Sequence, residues 1–73
     1  MKRYLNLSGD SGVVAYDIRA DAVLVKFRNS DHVYVYSHAS AGAPHVARMK
    51  KLAQAGRGLS TYISQHVHDR YEK

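Results

Sequence analysis

The sequence predicts an α+β fold: a three-stranded antiparallel meander, four-stranded if Lys2 to Ser8 pairs as an edge strand, followed by two C-terminal helices packed on one face. Three observations predict it. Ala22 to Arg28 alternates with a period of two, Val33-Tyr34-Val35-Tyr36 repeats that alternation after a polar break, and beyond Pro44 the apolar residues recur every three or four positions.

Lys2 to Ser8 is a short segment of uncertain register, ended by the turn-forming Gly9-Asp10-Ser11-Gly12. Ser11 to Ile18 reads as the first meander strand, because Val13, Val14, Tyr16 and Ile18 favour extended backbone, and Arg19-Ala20-Asp21 breaks it. Ala22 to Arg28 then sets Val23, Val25 and Phe27 on one face and Leu24, Lys26 and Arg28 on the other. After Asn29-Ser30-Asp31, His32 to Ser37 sets Tyr34 and Tyr36 against Val33 and Val35. A flexible Ala39 to Ala43 stretch leads to Pro44, which suits the start of a helix because its missing N–H has no partner there. Val46, Met49, Leu52 and Ala53 form that helix's inward stripe, and Gly56 stops it. A second helix is expected from Ser60 as N-cap, with Leu59, Ile63, Val67 and Tyr71 spaced by four and His66 partly buried beside Tyr62.

Length and composition bound the rest. The 73 residues suit a single domain over 1–73 with a core at about 13–71, and a chain of this size buries only about 60% of its unfolded surface. There is no Cys, hence no disulfide or thiolate metal site, and a weak tilt towards a cytoplasmic location. Asn6, Ser8, Gly9 and Asp10 interrupt any signal-peptide core after Met1-Lys2-Arg3. Apolar runs such as Ala22 to Val25 fall far short of the roughly 20 residues that span a bilayer, so no membrane partner is expected.

Eleven Lys and Arg against six Asp and Glu give +5, which favours anionic partners. No acidic residue occurs between His32 and His68, where Arg48, Lys50, Lys51, Arg57 and all five His fall. Protonation of those His would carry the charge from +5 towards about +10 in mild acid.

Catalytic and metal motifs do not assemble. Gly9-Asp10-Ser11-Gly12 resembles a serine-protease loop, but it continues with Val13-Val14, and a chain this small has little room for a water-excluding pocket. His66-x-His68 diverges by roughly 200° on a helix, unsuited to a shared metal. No catalytic residue, metal or cofactor is expected. Two binding surfaces remain. Arg48, Lys50, Lys51 and Arg57 could hold nucleic-acid phosphates, with Tyr34 and Tyr36 stacking on bases and Ala55-Gly56-Arg57-Gly58 cradling a phosphate. At least one of those tyrosines is also expected beneath the helices with its hydroxyl hydrogen-bonded. Alternatively Leu24, Val33 and Val35, flanked by Lys26 and Arg28, form an apolar strip for an acidic protein or a second copy of the chain.

Val14-Ala15-Tyr16-Asp17, the Val23, Val25, Phe27 alternation, Tyr34-Val35-Tyr36, Tyr62-Ile63, His66-Val67 and Arg70-Tyr71 together resemble the KTSC domain, found at the C-terminus of some lysyl-tRNA synthetases and alone in bacteria and phages. The resemblance covers about Val14 to Tyr71 and rests on the Tyr-x-Tyr strand combined with the His-Val-x-x-x-Tyr ending. It departs from the family in placing Pro44 well beyond Tyr36, and in Gly58, Ser60 and Ser64 between and along the helices. It implies the fold and a link to RNA, with no settled activity. The expected protein is thus a small non-enzymatic binding module for nucleic acid or, alternatively, for a protein partner.

Overall fold

The computed structural model describes residues 1–72 apart from Ser8, Asp10 and Asn29. Four strands, β1 (Lys2–Arg3), β2 (Val13–Arg19), β3 (Ala22–Phe27) and β4 (Val33–Ser37), pair antiparallel in chain order. Helix α1 (Ala43–Ala55) follows, then α2 (Leu59–Tyr62), which continues as a π-helical turn over Ile63–Val67. The α+β architecture, with the sheet first and the helices after it, is that expected from the periodicities.

Alternation along β3 decides the packing. Val23 and Val25 are fully buried, and the register sets them beside Ile18 and Tyr16 on β2 and beside Tyr36 and Tyr34 on β4. Against this inner face α1 lays Val46, Met49 and Ala53, and α2 with its continuation lays Leu59, Ile63 and Val67. Tyr4, just past β1, joins the same core, and its hydroxyl accepts the Leu59 N–H at 3.3 Å, tying the first segment to the start of α2.

One irregularity departs from strict alternation. Val13 pairs with Phe27 but Ala15 pairs with Lys26, so Val14 is an extra residue in a β-bulge. Val13 and Tyr16, three apart, therefore both face the core, and the Val14 carbonyl accepts the Tyr4 N–H at 3.0 Å. Of the expected Lys2 to Ser8 edge segment, only Lys2–Arg3 forms strand, and Ser8 lies outside the described residues.

The turns use local polar chemistry. Ser11 Oγ accepts the Val13 N–H and Ser11 N–H donates to Asn6 Oδ1, which makes this serine a turn former; Asp10 of the same motif lies outside the described residues. The Asn29-Ser30-Asp31 turn likewise includes an undescribed Asn29. Ser37 and Ser40 cap one another reciprocally, each hydroxyl accepting the other's N–H at 3.0 Å.

The helix starts differ in part from expectation. Pro44 sits in the first turn of α1 as its chemistry requires, behind Gly42 at φ 97°. The N-cap of α2 is Gly58 at φ 79°, not Ser60, which lies inside the helix, because the short link from Gly56 needs a left-handed residue to turn the chain. Gly56 closes α1 at φ 78°, and a Cβ there would meet Leu5 Cβ at 2.6 Å. Tyr71 leaves the helix altogether. It packs on Tyr34 and Tyr36, and the following Glu72 N–H donates to the Val35 carbonyl at 2.7 Å, covering part of the outer edge of β4.

Candidate functional site

The sheet has two faces, and the helices cover one. On the other, the register aligns Arg3, Ala15, Lys26 and Val33 in one row across all four strands, and Asp17, Leu24 and Val35 in the next. Leu24, Lys26, Val33 and Val35 are half-buried by their neighbours, and no helix lies over them. The expected strip is therefore assembled, with Leu24 opposite Val35 and Lys26 opposite Val33.

Cations frame that strip. Arg28 is exposed just beyond β3 and reaches the Ser11 carbonyl at 3.4 Å, at the outer limit of a hydrogen bond. Arg28 and Arg3 line one polar hollow of about 240 Å³ with Asn6 and Val14, and no carboxylate lines it among the described residues. At the opposite end Asp17 and Arg19 neutralise one another at 3.0 Å. The outer face is thus apolar in the middle, positive along the Arg3, Lys26 and Arg28 side, and close to neutral at the other. Arg3 was not among the residues singled out from the sequence. Only its pairing to Ala15 places it beside Lys26.

The other cations do not converge. Arg48 and Lys51 share an exposed face of α1. Lys50 turns away by roughly 200° from Arg48, and its Nζ donates to the Ala20 carbonyl at 3.2 Å over the β2–β3 turn. Arg57 is exposed in the link between the helices. The phosphate cradle suggested there is largely committed elsewhere: Gly56 N–H donates to Leu52 and Ala53, the Gly56 carbonyl accepts Leu7 N–H, and Leu59 N–H donates to Tyr4.

Tyr34 and Tyr36 lie on the inner face. Tyr36 is 1% exposed, so it offers no stacking surface. Tyr34 is hemmed by Phe27, His32 and Tyr71 at centroid distances of 5.4, 4.5 and 4.7 Å, all edge-on. Contrary to expectation, the Tyr36 hydroxyl has no hydrogen-bond partner among the described residues. Burial, reinforced by the neighbouring Tyr34 and Tyr71 phenols, pushes its pKa up to about 12. In fact all seven aromatic side chains lie in the core or pack against it.

The histidines do not gather into a metal centre; among the described residues no three His, Cys, Asp or Glu converge. His45 Nδ1 instead shares a 2.7 Å hydrogen bond with the Tyr62 hydroxyl, tying α1 to α2. His66 does stack beside Tyr62 at 4.5 Å, but it is exposed rather than partly buried, because the ring covers the outer side of Tyr62.

Fold and surface together define a small sheet-and-helix protein with one uncovered, positively framed sheet face. No protein-family model, curated protein or solved structure matches the chain. Among the described residues no helix is long and apolar enough to cross a membrane.

Proposed function

We propose that this chain is a small, non-enzymatic, KTSC-like binding module that takes an acidic protein segment on the outer face of its sheet. Leu24, Val33 and Val35 form the apolar floor, and Lys26, Arg28 and Arg3 form the charged rim. The observation that carries this reading is the uncovered face itself, set against aromatic side chains that lie in the core or pack against it on the other. Single-stranded nucleic acid is bound largely by stacking bases on exposed aromatic rings, whereas here the rings lie in the core or pack against it, and none belongs to the outer-face strip. What remains for nucleic acid is phosphate contact by Arg48, Lys51 and Arg57, which the test below separates. The family part of the reading is supported by Tyr34 and Tyr36 on the last meander strand with Tyr71 packed against both.

Size and charge constrain the partner. The three longer strands, each about 4.8 Å wide and overlapping over about five residues, give a face of about 250 Å², well below the roughly 800 Å² per partner of a stable interface. The partner therefore spreads over the basic rim or binds transiently. A second copy of the chain is the weaker candidate, since its matching face carries the same cations and the carboxylate there, Asp17, is already paired with Arg19. The reading includes a cytoplasmic location, supported by the lack of cysteine.

The test is a fluorescence-anisotropy comparison at about 50 and about 200 mM salt, which brackets the range where phosphate contacts are revealed. The probes are a short peptide of alternating Glu and Val, single-stranded RNA and duplex DNA. The expected result is peptide binding that Lys26→Glu abolishes and that Arg48→Ala with Lys51→Ala and Arg57→Ala leaves intact. Nucleic-acid binding that is steeply salt-sensitive, lost in the helix variants and kept in Lys26→Glu would return the function to RNA or DNA.

A further inference from the structure

On the helix-covered side of the sheet the molecule holds a second built site, independent of the outer face. A cavity of about 350 Å³ opens between the end of β4, the α2 segment with its π-helical turn, and the C-terminal tail. Its walls are aromatic. Tyr34 and Tyr71 meet edge-on at 84°, and Tyr71 and Tyr36 at 78° with centroids 6.1 Å apart, so each ring holds its neighbour in place.

Its polar groups are the hydroxyls of Tyr34, Tyr36, Tyr71, Ser60 and Ser64 and the imidazole of His68. Tyr36 is 1% exposed, lines the cavity and has no hydrogen-bond partner among the described residues. Among the described residues no side-chain oxygen or nitrogen is both sealed from solvent and unpaired, which leaves the Tyr36 hydroxyl a solvent contact. Facing it are Ser60 and Ser64, one helical turn apart, with side-chain hydroxyls that likewise have no partner among the described residues. The helix widens to a π turn at this point, a local irregularity that recurs at functional sites.

The electrostatics select against charge. No Asp, Glu, Lys or Arg lines the cavity among the described residues. An anion would find no Lys or Arg lining the cavity to pair with it. A cation would find hydroxyls and the His68 imidazole but no carboxylate among the described residues, in a chain of net charge +5. The volume lies at the small end of ligand cavities, which run from about 300 to 1,000 Å³, and suits a single ring with a short substituent.

We propose that this cavity binds an uncharged, single-ring aromatic molecule bearing an amide or comparable carbonyl, whose oxygen accepts the Tyr36 O–H and whose N–H groups reach Ser60 or Ser64. The ring lies against Tyr34 and Tyr71.

Three probes with one ring and different charge test it: benzamide, benzoate and benzyltrimethylammonium, each titrated into the full-length 15N-labelled protein at pH 7. Benzamide should give saturable shifts at Tyr34, Tyr36, Ser60, Ser64 and Tyr71, and the two charged probes should bind about tenfold more weakly or not at all. Tyr36→Phe, which keeps the ring, should weaken benzamide about five- to tenfold, as expected for one neutral hydrogen bond. Ser64→Ala, at an exposed position where folding is not at stake, should weaken it about threefold and decides the matter if Tyr36→Phe is poorly folded. No saturable shift with benzamide, tighter binding of either charged probe, or unchanged benzamide affinity in the folded variants would overturn the proposal.

Discussion

Tyr36 is where a single side chain carries the most consequence. Its pKa of about 12 lies above the ordinary value of 10.0 because the buried phenolate is poorly solvated. In the unfolded chain the phenol ionises near 10, so the native state holds its proton over a range where the unfolded state has lost it. Linkage then makes stability fall with rising pH between about 10 and about 12, by up to about 2–3 kcal/mol. Urea denaturation at pH 9 and at pH 12 should show that loss for the native chain and a smaller one for Tyr36→Phe; equal losses would mean the phenol is not the titrating group. The placement of Tyr34 and Tyr36 on one face was legible in the sequence from alternation alone. The missing hydroxyl partner was not, since it depends on where Ser60, Ser64 and Tyr71 arrive from the far end of the chain.

Among the elements, the last one departs most from its sequence pattern. Leu59, Ile63 and Val67 are spaced by four and are all buried, which the pattern foretold. The same spacing extends to Tyr71, yet the helix ends at Val67 and Tyr71 returns to the sheet. Periodicity cannot distinguish one more helical turn from a tail that packs on the same core. The parallel series Ser60, Ser64, His68 was equally visible and lines the cavity, but polar spacing by four is also what an exposed helix face looks like. Because the Tyr71 ring abuts both Tyr34 and Tyr36, Tyr71→Ala should cost about 2 kcal/mol while Tyr71→Phe stays within about 0.5 kcal/mol. Equilibrium urea unfolding measures both. Equal losses in the two variants would assign the tail's contribution to the hydroxyl instead of the ring.

At the scale of the whole molecule, the two faces of one sheet divide between a packed core and an uncovered surface. Alternation in β3 and β4 made that division readable, because Val23 with Tyr36 and Leu24 with Val35 had to point opposite ways. The basic residues were readable as a sum and not as a surface. Lys50 and Arg48 are near neighbours in sequence but point to different sides of α1, and Arg3 joins Lys26 only through pairing across β2. The extra residue at Val14 has a further meaning for how this chain tolerates changes in length. Removing one residue from a regular strand exchanges its inner and outer side chains. Removing Val14 would instead join Val13 to Ala15 in unbroken alternation, leaving Val13 and Tyr16 inward and Ala15 outward as they stand, with the loss of the bond from Tyr4. A chain lacking Val14 should therefore melt cooperatively by circular dichroism, whereas one lacking Asp17 should not, and a failure of the first would show that the bulge is needed for the fold itself. Within this strand, Val14 is the position at which the protein can be one residue shorter and keep both of its faces.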